Sequence, residues 1–158
     1  MLFRSLVTAV TKLREHGAQH ILVPNLPNLG KTPRSLANGV SEVMEEIATT
    51  FNQALATSLQ PLEIIQIDMP MGLEMVTDTK TVFDPVLFSL TNFTEACFDA
   101  NSLTLCDTPD SYFYWDDFHP STQGHLVIAL IFYSAVTEPQ YILDTGLFLP
   151  IVEIINET

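Results

Sequence analysis

"LEIIQID", residues 62–68, is a short apolar run closed by an aspartate, and its reading decides the fold class. A run of this kind predicts a strand buried on both faces. A second one, "HILVP" at 20–24, comes before it. Between them Leu36, Val40, Val43, Met44, Ile47, Phe51 and Leu55 recur at helical spacing, which predicts one long helix over 36–59. Strand, helix, strand is a βαβ unit, so the two strands are expected to be parallel and covered by helices. The chain is therefore expected to be α/β. Asp68 falls at the carboxyl end of the second strand, the edge where such sheets place ligands.

Upstream, Leu2, Phe3, Leu6, Val7, Val10 and Leu13 predict an amphipathic helix with Gly17 as its stop. Apolar and polar positions mix in this segment, so it does not read as a signal peptide. The proline-rich stretch "NLPNLGKTPRS", 25–35, predicts an ordered loop. Residues 69–110 are expected to be loop-rich, with one or two helical turns in "FDPVLFSLTNF", 83–93. Pro120 and Ser121 open a final helix running to about Ala135. Residues 1–137 form the expected domain, and 138–158 an apolar tail without a clear period. Two strands alone leave open edges and uncovered faces, so either further strands lie in the tail or the fold is incomplete.

The composition excludes several partner classes. Nineteen acidic residues face six basic ones, for a formal charge of −13. Nucleic acid and anionic membrane surfaces are held by clustered Lys and Arg, which this balance opposes. No transmembrane segment is expected, because the run Leu126–Val136 is about half of the ~20 residues that a bilayer needs. Cys97 and Cys106 do not make a zinc pattern. They could close a small disulfide in an oxidising compartment, and two free thiols fit the spacing equally well.

Titratable side chains crowd into "YWDDFHPSTQGH", 114–125. Asp116 and His119 form an Asp-x-x-His on a turn before a helix. The carboxylate can accept from the imidazole Nδ1, which fixes the tautomer and leaves Nε2 as a general base. The same spacing also fits an ordinary loop ion pair ahead of a helix-start proline. Asp117 is expected to face solvent or serve the helix N-terminus. His125 is expected to be a satisfied helix histidine, since its spacing from His119 is not that of a helical metal pair. No G-x-S-x-G elbow is present, and no serine or cysteine has the setting of a nucleophile.

The order of these motifs resembles GDSL-type (SGNH) lipases and esterases, closest to the lecithinase and hemolysin-like branch. "GAQHILVPNLPNLGKTP" (17–33) is similar to the family's strand and proline-rich loop, and "FNQAL" (51–55) to an Asn-containing helical segment. "YFYWDDFHPSTQGH" (112–125) resembles the last block, which supplies the catalytic Asp and His, and the cysteine pair resembles that of many secreted members. The resemblance implies His119 as general base and Asp116 as its orienting carboxylate, with no cofactor. It implies a three-layer, flavodoxin-like fold around a five-stranded parallel sheet. The family's Gly-Asp-Ser, glycine and asparagine blocks have no counterpart here, so the sequence is expected to be the C-terminal half of such a hydrolase, inactive alone. Its substrate would be a lipid ester, phospholipid or small ester once completed, with a partner chain possible at the open sheet edge. Secretion or a periplasmic site is implied, although a cytoplasmic fragment fits a chain without a signal peptide. Two alternatives accompany this reading: a non-catalytic interaction module, and a metal-binding protein using Asp116, His119 and His125.

Overall fold

The computed structural model describes residues 2–62, 64–78 and 89–137. Helix α1, Leu2–Glu15, ends where Gly17 takes a φ of +92°, as the stop at that glycine predicts. Val10 is buried, with Leu6 and Val7 packed beside it, whereas Leu13 stays half exposed. The chain then enters strand β1, Leu22–Pro24. Helix α3, Ser41–Leu59, carries it back to β2, Ile65–Ile67. The strands are parallel, in the register Leu22 to Ile65, Val23 to Gln66 and Pro24 to Ile67. The expected βαβ unit is present.

Alternation along this short sheet feeds two apolar clusters. Ile21 and Val23 join Val10, Leu55 and Leu59, the cluster made with α1 and α3. Ile67, with Leu22 beside it, joins Phe113, Val127 and Ile131. Val127 and Ile131 belong to α5, Thr122–Thr137, the predicted final helix.

The long helix expected over 36–59 is broken. Residues Pro33–Ala37 form a separate short helix, α2, and Gly39 at φ +65° turns the chain before α3 begins at Ser41. The break moves the buried line. Ala48, Leu55 and Leu59 face inward on α3, while Leu36, Val40, Val43 and Ile47 are exposed. The 25–35 loop contains one 3-10 turn, Leu29–Lys31, packed so closely that a Cβ on Gly30 would lie 2.3 Å from the Ser41 carbonyl oxygen.

The region expected to be loop-rich holds more regular structure than its sequence suggests. Helix α4 spans Met69–Asp78, and β3 spans Asn92–Ala96, where a helical turn was expected at Asn92 and Phe93. β3 runs parallel to β6, Tyr112–Tyr114, with an irregularity between Asn92 and Ala96. Between them lies the hairpin of β4, Phe98–Asp99, and β5, Thr104–Leu105. Backbone pairing with a distant strand overrides local propensity here. Residues 79–88 and the tail 138–158 lie outside the described residues. Among the described residues each sheet has two strands, not five. No described helix is long and apolar enough to cross a membrane.

Candidate active site

Strand β6 delivers the chain to the 115–119 loop, and α5 takes it away. Two backbone bonds fix this turn: Trp115 N–H donates to the His119 carbonyl at 2.8 Å and Ser121 N–H to the Phe113 carbonyl at 2.8 Å, and together they make the antiparallel bridge between Tyr114 and Pro120. Ser121 caps α5 from below. Its hydroxyl donates to the Tyr112 carbonyl at 2.6 Å and accepts from Gly124 N–H at 3.1 Å. Gly124 has no room for a side chain, since a Cβ there would sit 2.4 Å from the Phe113 carbonyl oxygen.

Within the loop Asp116 turns back on its own backbone. Its Oδ1 accepts from Phe118 N–H at 2.8 Å and His119 N–H at 2.6 Å. Its Oδ2 accepts from the His119 imidazole Nδ1–H at 2.9 Å. Partial burial is the largest single influence on this carboxyl and pushes its pKa up. The His119 N–H, the His119 ring and the Phe118 N–H outweigh burial together and hold the group below the ordinary carboxylate range. The imidazole is thus fixed through Nδ1. Its Nε2 has no partner among the described residues, and the side chain is 70% exposed.

Asp117 is exposed, as expected, but it is also paired. It makes a two-pronged bridge to Arg34, with Nε to Oδ2 at 2.9 Å and Nη2 to Oδ1 at 2.8 Å. Sequence reading misses this partner because the two residues lie 83 positions apart. His125 sits on α5 and donates from Nδ1 to the Ser121 carbonyl at 2.9 Å, the satisfied helix histidine expected. No group of three or more His, Cys, Asp or Glu side chains suited to a metal ion occurs among the described residues.

Asp68 takes a structural place at the strand edge. Its carboxylate accepts from Met71 N–H at 3.2 Å, closing the first turn of α4. Asn25 beside it accepts from Met69 N–H at 2.7 Å. Asn52 of the "FNQAL" segment exchanges two hydrogen bonds with the Leu26 backbone, at 2.9 and 2.8 Å, and so ties the first loop to α3. Cys97 and Cys106 are disulfide-bonded, which resolves the choice left open by their spacing.

Between these elements lies a cavity of about 450 Å³. Ala48 of α3, Leu73 of α4, Phe93 of β3 and Phe113 and Tyr114 of β6 line it, with Lys31 and Glu74 among its polar border. Burial pushes the Tyr114 phenol up to about 12, so it stays neutral at working pH.

An aspartate-oriented imidazole with an open Nε2 is the arrangement of a general base. The model of the GDSL-like lipase/acylhydrolase family matches residues 2–132. The chain belongs to this family. Esterase EstA of Pseudomonas aeruginosa is 28% identical over 136 residues, covering 77% of this chain and 20% of that protein. The GDSL esterase/lipase At5g03810 of Arabidopsis thaliana is 29% identical over 153 residues, covering 81% of this chain and 42% of the plant protein. This GDSL-family chain therefore spans well under half the length of these curated relatives.

Proposed function

We propose that this chain supplies the acid–base half of a Ser-His-Asp ester hydrolase, with His119 as general base and Asp116 as its orienting carboxylate. The single observation that carries the reading is the 2.9 Å hydrogen bond from Nδ1–H to Asp116, with Nε2 left open toward solvent. In acyl transfer such a base takes the proton from a serine hydroxyl as it attacks the carbonyl, then gives it to the leaving alcohol. Asp116 holds the ring in the tautomer that this exchange requires and stabilises the imidazolium.

No Gly-Asp-Ser block occurs in the 158 residues, and no hydroxyl meets Nε2 among the described ones. The nucleophile and the oxyanion donors belong to a segment other than this one, which would also complete a three-layer parallel-sheet fold. The acyl group of a carboxylic or lipid ester lies in the apolar cavity between the first loop, α4 and β6. Its volume of about 450 Å³ suits a ligand of moderate size. The disulfide favours an oxidising compartment outside the cytoplasm.

The test is hydrolysis of a p-nitrophenyl ester by the purified chain, alone and co-expressed with a segment carrying the family's serine, glycine and asparagine blocks. The chain alone is expected to match buffer, because losing the oxyanion donors by itself removes ~10²–10³ in rate. The pair is expected to turn over, and His119→Ala to remove that turnover. Turnover of the pair that survives His119→Ala refutes the assignment.

A further inference from the structure

We infer that Arg34 is a positioning residue for the base: it clamps the 115–119 loop so that the Asp116–His119 pair holds its orientation. This rests on the reading of His119 as the general base. Arg34 reaches the loop through its guanidinium, which makes two contacts, and through its backbone. Its guanidinium grips both oxygens of Asp117 at 2.9 and 2.8 Å. Its backbone N–H donates to the Asp117 carbonyl at 2.9 Å. Its Cζ lies 5.5 Å from the centre of the Phe118 ring. Asp117 and Phe118 are the two residues between Asp116 and His119, so the grip falls on the link that sets the spacing of the pair.

Arg34 is itself held firmly. It lies between buried Pro33 and buried Ser35, and the Thr32 hydroxyl accepts from Ser35 N–H at 3.3 Å to cap the helix. The loop is held on its other side too. Phe98 N–H donates to the Trp115 carbonyl at 2.7 Å, and the two rings stack at 5.6 Å. Phe98 follows Cys97 directly, so the disulfide hairpin forms the second jaw.

Magnitude decides between a stabilising and a positioning role. The Arg34 and Asp117 side chains are 58% and 50% exposed, and pairs so exposed add little to stability. What the fork geometry supplies is direction, which a lysine ammonium cannot reproduce.

The experiment uses the full chain labelled with ¹⁵N and compares wild type with Arg34→Gln and Arg34→Lys. Arg34→Gln is expected to leave the far-UV spectrum and the amide exchange of Leu59 and Val127 within twofold of wild type. The amides of Phe118 and His119, which donate to Asp116, are expected to exchange at least tenfold faster. The His119 Nδ1 resonance is expected to move from its protonated-tautomer position toward the tautomeric average. Arg34→Lys is expected to fall between the two. Unchanged exchange at Phe118 and His119, or equal acceleration at Val127, overturns the clamp. These readouts need no turnover, so their failure strikes the clamp alone. Hydrolysis that survives His119→Ala in the completed enzyme strikes the base assignment, and the catalytic role of Arg34 falls with it.

Discussion

At the scale of the residue, Asp116 has two tasks that share one charge. It satisfies two loop N–H groups and orients the imidazole of His119. Its pKa lies below the ordinary value in the folded chain, so its contribution to stability is fully present above the unfolded value of ~3.9. That contribution is lost as pH falls through the folded value. Urea midpoints of wild type and Asp116→Asn should therefore differ near neutral pH and approach each other as pH falls below about pH 4. A gap that persists in acid refutes this account. The Asp-x-x-His pair was legible because its geometry is local. The Arg34 bridge was not, because only folding brings residues 83 apart together.

At the scale of the element, the hairpin of β4 and β5 and the start of α5 brace the loop from two sides. The disulfide closes a loop with a sequence separation of 9. Chain entropy for a loop of that size predicts a loss of about 2.5 kcal/mol when both cysteines become serine. Denaturant titration of Cys97→Ser/Cys106→Ser against oxidised wild type checks this. Gly124 is the other brace. A methyl group there meets the backbone oxygen of Phe113, so Gly124→Ala is expected to cost about 2 kcal/mol despite the better helix propensity of alanine. A thermal melt that shows stabilisation would sink that idea. Helix α3 teaches a complementary lesson. Its periodicity announces a helix, yet Leu36 lies on the far side of a glycine turn, Val40 only precedes the first turn, and the face that is buried depends on where α1 lies.

At the scale of the molecule, the charge of −13 acts on the whole fold. Self-repulsion opposes the compact state, and salt screens it over about 10 Å at 0.1 M. Raising NaCl from low millimolar to about 0.5 M should lift Tm by a few degrees, as circular dichroism would record. A fall in Tm would mean that attractive charge pairs together outweigh the net repulsion.

The sequence by itself determined the α/β class, the βαβ unit, the stop at Gly17, the final helix and the Asp116–His119 pair. Each depends on residues close together in the chain or on a period within one element. Tertiary structure decided the disulfide, the strands β3 to β6, the break before α3, the cavity and the partner of Asp117. The pairing of β3 with β6, the cavity and the Asp117 partner depend on which distant segments come into contact. The disulfide, the β4–β5 hairpin and the break at Gly39 are local, but their spacing fits more than one arrangement and packing chooses among them.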